Sequence, residues 1–236
     1  MSFESPRSNL KEKKNEDDLL VHDLIRKEFR DLIENDNYEI PYDTEAIMVI
    51  SAPPNLNGKT KEEIEETLEN VKRIDLGIEI YKKIIAQKLN KNISDINQED
   101  LKNKLSPLLV LNGDTEQLVM MERVTLSRSF PLEKIKLINC GDRSIANTKT
   151  QFEKTAEDPI VGKFKHITFI TTSYHIPRLA RTASVLLPKN QNFEIIGIPY
   201  KDYPFDIYKK VKGEVKRIIN YSQKGDISRD DLRNKK

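Results

Sequence analysis

The stretch FITTSYHIPRLARTASVL, residues 169 to 186, joins an apolar run to a second apolar run through a short polar turn. The first run, from His166 to Ser173, has the length and β-branched content of a buried strand. Pro177 suits the first turn of a helix and disfavours helical geometry in the residue before it. We therefore predict a strand, a turn that holds Ser173 and His175, and a helix that begins near Pro177.

The same order of an apolar run followed by a helical pattern recurs along the chain. Each apolar run is followed by a longer segment with apolar residues at helical spacing. One further short helical segment, at 97–105, precedes the second run. Such alternation predicts an α/β fold, a Rossmann-like three-layer sandwich with a mainly parallel sheet of about five strands and right-handed crossovers. The predicted strands are 46–51, 107–114, 135–142, 166–173 and 193–200, and the longer predicted helices are 62–91, 115–129, 145–158, 177–187 and 205–222.

Both ends of the chain carry additions to this pattern. Residues 1–16 are polar, and we expect them to be flexible, whereas LLVHDLIRKEFRDLI at 19–33 has one apolar stripe and predicts an added N-terminal helix. The amphipathic segment 205–222 predicts a C-terminal helix. We expect one α/β domain over 17–224, followed by a charged tail over 225–236.

Composition limits the function classes. The chain has 236 residues, 37% of them apolar, and its net charge of +2 comes from 40 basic and 38 acidic residues that are interspersed. This gives no broad basic surface for nucleic acid. No run approaches the roughly 18 apolar residues of a membrane helix, and the N-terminus lacks the apolar segment of a secretory signal. We expect a soluble, cytoplasmic protein without a membrane span.

Polar side chains follow several predicted strands at the point where each strand ends. Ligands of open α/β sheets bind beyond the carboxyl ends of the strands. We therefore expect these side chains to meet at one edge of the sheet. They are Ser51, then Asn112, Gly113, Asp114 and Glu116, then Asp142, Arg143 and Ser144, and finally Thr172, Ser173, Tyr174 and His175.

Arg178 lies one residue after Pro177, in the first turn of the predicted helix. Free amide donors and the helix dipole favour an anion there, and a guanidinium group suits a phosphate or carboxylate. A cation alone at a helix N-terminus is slightly unfavourable. A bound anion, or a nearby carboxylate such as Asp114 or Glu116, would offset this, and we expect an anionic small molecule as the partner.

ITFITTSYHIPRLART, residues 167–182, resembles the terminal signature of the YdcF/SanA/ElyC-type domain family, a bacterial α/β family of poorly established activity. Three other segments over about 45–200 are similar to family blocks in the same order. The resemblance implies a Rossmann-like sheet with a polar site at the strand ends, and S-adenosylmethionine is a possible cofactor because one member binds it. The matching positions are Arg73, then Asn112, Gly113 and Glu116, and then Ser144, Asn147 and Thr150.

Several of these residues also have structural interpretations. His175 is an acid, a base, an anion ligand or a hydrogen-bonded loop histidine, while Asp114 and Glu116 suit the cap of the helix near Thr115. Arg73 has Glu69 one turn away as a partner. Cys140 fits a small core residue better than a nucleophile, since it follows an apolar strand. No paired His/Cys motif indicates a metal site, and Ser173 lacks the Gly-x-Ser-x-Gly pattern of hydrolases.

Two functions remain open at this stage. In the first, the protein is an enzyme acting on a phosphate-bearing or nucleotide-like substrate: Arg178 and Arg73 hold the anion, Ser173 and Asn112 orient it, and His175 with Glu116 supplies acid–base chemistry. In the second, it is a non-catalytic domain that senses an anionic metabolite or S-adenosylmethionine.

Overall fold

In a computed structural model of the chain, the described residues are Phe29, 38–52, 61–142, 144, 146–199 and 207–228. The strands are β1 (Ala46–Ile50), β2 (Leu108–Gly113), β3 (Ile135–Asn139), β4 (His166–Thr172) and β5 (Asn192–Ile198). The helices are α1 (Lys61–Lys88), α2 (Gln98–Leu101), α3 (Thr115–Ser127), α4 (Thr148–Glu157), α5 (Ile176–Leu186) and α6 (Ile207–Lys224).

The five strands form one sheet in the order β3-β2-β1-β4-β5, and every neighbouring pair is parallel. This confirms the predicted fold class. Each strand ends one to three residues before its predicted end, because the polar residues that follow turn away from the sheet. All five residues of β1 are fully buried, as expected for the central strand of a sheet covered on both faces.

Helices cover both faces of the sheet and make three layers. On one face, α1 and α3 pack against Ile47 and Val49 of β1, with α1 contributing a buried stripe that includes Ile74, Ile78 and Tyr81. On the other face, α4 and α5 pack against the alternate β1 residues, and Phe152 of α4 is fully buried there. Alternation of side chains along β1 thus divides the core into two halves.

The C-terminal helix belongs to a third, smaller apolar cluster. Val215 and Ile218 of α6 pack with Tyr174 and with Phe29, a buried helical residue. Apart from Phe29, the helix predicted at 19–33, the segment 1–16 and the tail beyond 228 lie outside the described residues. Within the described ranges, no helix is long and apolar enough to cross a lipid bilayer.

The strand order reverses direction between β1 and β4. The chain proceeds from β1 to β2 and β3 on one side, and then crosses to β4 and β5 on the other. In open α/β sheets, such a reversal forms a crevice at the carboxyl ends of the two strands concerned, here β1 and β4. The polar turn at Ser173–His175 lies at this crevice, which positions the site described below.

Candidate functional site

A cavity of about 250 Å³ lies at the carboxyl ends of β1 and β4. Its described wall comes from the end of β1, from α1 and α3, from the start of α4, from the turn after β4 with the start of α5, and from one face of α6. The described lining residues are Ser51, Ala52, Glu69, Arg73, Gln117, Ala146, Asn147, Thr148, Gln151, Tyr174, His175, Arg178, Lys210, Glu214, Arg217 and Tyr221.

The described wall of the cavity is positively charged. It carries four cationic side chains, on α1, α5 and α6, against two carboxylates. Burial, and then the neighbouring guanidinium groups with Arg178 first among them, hold the pKa of His175 well below its ordinary value, so this ring is neutral near pH 7. The described lining residues therefore carry an excess of two positive charges.

Arg178 is held by a carboxylate from the C-terminal helix. Its Nε and Nη2 donate to the two oxygens of Glu214 at 2.6 and 3.2 Å, and Nη1 donates to the Thr148 hydroxyl at 2.5 Å. Burial alone would raise the pKa of Glu214, but Arg178 and Arg217 together hold it below its ordinary value. Glu214 is only 2% exposed, so this is a buried, two-point ion pair.

Arg217 shares the same carboxylate from the solvent side. Its Nη1 lies 2.6 Å from Glu214 Oε1, while its side chain is 54% exposed. The Arg178 guanidinium also lies 6.0 Å from the centre of the Tyr221 ring. Glu214 therefore bridges one partly buried and one exposed arginine.

Arg73 connects α1 to the ends of both central strands. Its Nη1 donates to the carbonyl of Ile50 at 2.7 Å, and Nη2 donates to Thr172 Oγ1 at 3.0 Å. Nη2 also lies 3.4 Å from Glu69 Oε2, which is the ion pair that the sequence suggested as the structural role of Arg73. Because these bonds span the crevice between β1 and β4, Arg73 fixes the floor of the cavity.

Two further groups contact the buried carboxylate of Glu69. Its Oε2 accepts a hydrogen bond from the Tyr174 hydroxyl at 2.7 Å, and Oε1 lies 3.7 Å from Lys210 Nζ. Burial, and then the charge of Glu69, raises the pKa of Tyr174 well above its ordinary value. Tyr174 therefore remains a protonated hydrogen-bond donor at all ordinary pH values.

The His175 ring lies between two threonine hydroxyls. Its Nδ1 lies 3.0 Å from Thr171 Oγ1, and its Nε2 lies 3.5 Å from Thr148 Oγ1. The side chain is buried and lies in the turn that leads into α5, where Pro177 occupies the start of the helix as predicted. The neutral ring can donate through one nitrogen and accept through the other.

The N-terminus of α4 also faces the cavity. Asn147 caps this helix by accepting a hydrogen bond from the Thr150 amide at 3.1 Å, and Thr148 is the first helical residue. The amides of a helix's first turn and its dipole attract negative charge. The amide-rich start of α4 thus faces the same space as the arginines.

A buried network of amides closes the opposite side of the cavity. Gln117 accepts from the Ser51 hydroxyl at 2.6 Å and donates to the Ala52 carbonyl at 3.0 Å. Gln151 donates to Ser51 Oγ at 3.0 Å. This network ties the end of β1 to α3 and α4.

Of the predicted site residues, the structure brings four to the cavity: Arg73, Asn147, His175 and Arg178. Three polar ones do not line it and have structural hydrogen-bond partners instead. Asn112 donates to the Gln151 carbonyl, Asp114 caps α3 by accepting from the Gln117 amide, and Ser173 donates to the Ile198 carbonyl. Asp114 is therefore the helix cap that the sequence also suggested.

The remaining three predictions do not reach the cavity wall. Glu116 and Ser144 are exposed. Glu116 was predicted to act with His175, but one residue along α3 rotates the side chain by about 100°, which turns Gln117 rather than Glu116 inward. Gly113 lies behind the wall, where a Cβ atom would stand 2.7 Å from Gln117 Oε1 and 2.8 Å from Ser51 Oγ.

The sequence interpretation missed α6 as a wall of the cavity. It named Asp114 or Glu116 as the acid that offsets Arg178, whereas the acid is Glu214, 36 residues away. Lys210, Glu214, Arg217 and Tyr221 lie on one face of α6 at intervals of three or four residues, and this stripe of polar side chains is the pattern of a solvent-exposed helix face.

The cysteine and the histidine outside the cavity have structural surroundings. Cys140 is buried and donates to Asn112 Oδ1 at 3.0 Å, and burial raises the pKa of its thiol to about 12. His166 Nδ1 lies 2.9 Å from Asp43 Oδ1 at the opposite end of β4. His22 lies outside the described residues.

Comparisons of this chain with protein-family models, with curated proteins and with solved structures found no match.

Proposed function

We propose that this protein binds a small, phosphate-bearing anion in the cavity, as the substrate of an enzyme of the transferase or hydrolase type. The observation that carries the proposal is the excess of two positive charges on the described wall, formed by Arg178, Arg217, Lys210 and Arg73 against two carboxylates. A phosphate monoester carries close to two negative charges near pH 7 and would neutralise that excess.

The geometry favours the phosphate class over a single carboxylate. Arg178 uses three donated bonds on Glu214 and Thr148, and two of its five N–H groups remain for a ligand. Arg217 and Lys210 are more exposed, at 54% and 24% of their side chains, and the first turn of α4 adds amide donors. A tetrahedral anion with three acceptor oxygens suits donors that arrive from several directions.

The size of the cavity favours a compact ligand. Its volume of about 250 Å³ is below the range of roughly 300–1,000 Å³ that is usual for pockets of drug-sized ligands. A phosphorylated small metabolite fits this volume better than a dinucleotide, and a mononucleotide or S-adenosylmethionine would extend beyond the described wall.

A thermal-shift series tests the proposal. Inorganic phosphate, glycerol phosphate, mononucleotides and S-adenosylmethionine are each added to the wild type, to Arg217→Gln and to Lys216→Gln. These neighbouring residues of α6 carry the same charge, but only Arg217 lines the cavity. A ligand at 100 times its Kd stabilises the native state by about 2.7 kcal/mol.

We expect a phosphate-bearing ligand to raise the Tm of the wild type and of Lys216→Gln, and to raise that of Arg217→Gln less at equal concentration. Equal shifts in both variants would place binding outside the cavity. The absence of a shift with every phosphate compound, in a protein that melts cooperatively, would overturn the proposal.

A second candidate is a sensor that binds the same anion without chemistry. The observation that favours it is the position of α6, which supplies four lining residues and also packs on Phe29 through Val215 and Ile218. An anion that engages Arg217 would then change how α6 is held. Binding without turnover of any phosphate ester would support this candidate over the enzyme.

A further inference from the structure

We propose that Thr148 is the nucleophile of this site and His175 its base, so that Thr148 accepts a phosphoryl group from a phosphate monoester. This inference rests on the proposed function, and it names a reacting residue that the sequence patterns did not indicate. Thr148 lines the cavity, whereas the buried His175 ring contacts it through Nε2.

The hydrogen bonds around the Thr148 hydroxyl direct its proton. Arg178 Nη1 donates to Thr148 Oγ1 at 2.5 Å, so this oxygen already accepts one bond. Its own proton is then available to His175 Nε2, at 3.5 Å. Nucleophile and base pairs are often this loose before a ligand binds.

The contact with Thr171 is compatible with the form of the His175 ring that this exchange requires. If Nε2 accepts a proton from Thr148, the neutral ring carries its proton on Nδ1 and donates it to Thr171 Oγ1, at 3.0 Å. Thr171 is buried on β4 and holds the ring from behind. It is therefore a positioning residue, in the place that an acid occupies in other nucleophile–base–orienting sets.

Two further features favour an alkoxide at Thr148. The residue is the first of α4, where the helix dipole is positive, and the Arg178 guanidinium contacts the same oxygen. Both stabilise negative charge as the proton leaves. His175 is neutral near pH 7 and can accept that proton.

The reaction balances without any further reactant than water. Thr148 Oγ forms a bond to phosphorus as its proton passes to His175 Nε2, and the bond from phosphorus to the ester oxygen breaks. The leaving oxygen takes the proton from His175. Water then attacks the phosphothreonine, gives a proton to His175, and Thr148 leaves and recovers that proton, so an alcohol and inorganic phosphate are the products.

The test uses p-nitrophenyl phosphate as the probe, with acid quenching to trap the covalent adduct. We compare the wild type with Thr148→Ser, Thr148→Val and His175→Gln, and use Ser127→Ala as a control for a hydroxyl that lies at the far end of α3. Release of p-nitrophenol, intact mass and peptide mapping are measured together with the Tm shift caused by inorganic phosphate.

We expect the wild type, Thr148→Ser and Ser127→Ala to release p-nitrophenol and to gain one phosphoryl group, mapped to residue 148 in the wild type. Thr148→Val and His175→Gln should gain no adduct and should lose at least about 100-fold in rate, which is typical for removal of a positioned base. Peptide mapping of the wild type decides the matter even if Thr148→Val does not fold.

Different failures have different meanings. If inorganic phosphate raises the Tm but no adduct forms and Thr148→Val turns over the ester like the wild type, the nucleophile assignment is overturned and the anion site stands. If neither phosphate nor the ester raises the Tm and no turnover occurs, the proposed function fails, and this inference fails with it.

Discussion

Replacing Glu214 with alanine should destabilise the protein strongly, because it removes the buried carboxylate that neutralises a largely covered arginine. Glu214 is 2% exposed and bonds Arg178 at two points, 2.6 and 3.2 Å, while the Arg178 side chain is 12% exposed. Breaking a buried pair by removal of one partner costs about 3–5 kcal/mol. In a chain of this size, 1 kcal/mol corresponds to roughly 2–4 °C, so we expect a Tm about 6 °C or more below that of the wild type.

Arg217→Ala provides the matched control. It removes the other partner of Glu214, but the Arg217 side chain is 54% exposed, and exposed ion pairs contribute about 0–1 kcal/mol. The two variants disrupt the same carboxylate from its buried and its exposed side. We therefore expect Glu214→Ala to be several-fold more destabilising than Arg217→Ala.

Acetate should partly restore Glu214→Ala. The substitution leaves a small space beside Arg178, and a carboxylate that binds there stabilises the native state in proportion to its occupancy. Unfolding is followed by circular dichroism with acetate or chloride at equal ionic strength. A loss below about 1 kcal/mol in Glu214→Ala, or an equal response of wild type and variant to acetate, would refute the reasoning that Arg178 depends on a carboxylate at this position.

Three further predictions concern His175, Gly197 and Cys140. Burial holds the pKa of His175 low in the folded protein, so its ring stays neutral, whereas in the unfolded chain it binds a proton below about pH 6.5. The free energy of unfolding should therefore fall as the pH decreases from that value, by up to about 1.4 kcal/mol per pH unit. In urea titrations, His175→Asn should lack this pH dependence, and the same dependence in the variant and the wild type would contradict a neutral ring. Alanine at Gly197 would place its Cβ 2.8 Å from the Ser173 Cα, and alanine at Gly162 would contact the Ala156 carbonyl, so both variants should lose about 1–3 kcal/mol of folding stability. Only Gly197→Ala should also weaken phosphate binding measured by calorimetry, because only Gly197 packs against the turn at Ser173. Equal phosphate affinity in the two variants would show that this turn does not contribute to the binding site. Cys140, with its thiol pKa raised to about 12 by burial, should resist iodoacetamide in the native protein and react in denaturant; fast native labelling would show that the thiol is accessible.

The sheet and its helices could be predicted from the sequence because their patterns are local. Ala46 to Ile50 is a continuous apolar run, and its full burial on both faces follows from that run alone. Pro177 likewise placed the start of α5 to within one residue. Such features depend on the spacing of neighbours, which a single sequence shows directly.

The wall of the cavity depended on contacts between distant segments. Glu214 reaches Arg178 from a helix that, by its own pattern, has an ordinary polar face, and nothing in the spacing of α6 indicates that one residue of this polar face is buried against α5. Glu116 shows the opposite error. It lies close to the end of a strand, as predicted, but on α3 its side chain is exposed rather than directed into the cavity. Polar residue types at strand ends predict which edge of the sheet carries the site, whereas the rotation of each helix about its axis decides which of its side chains line the cavity.

The most direct test of the account is a crystal structure of the protein with a saturating phosphate monoester. We expect the phosphorus in the cavity at the carboxyl ends of β1 and β4, with the phosphate oxygens in contact with Arg178, Arg217 and the first turn of α4, and with Thr148 Oγ1 as the nearest hydroxyl. A phosphate group bound outside the cavity, or an unoccupied cavity at saturating concentration, would contradict it.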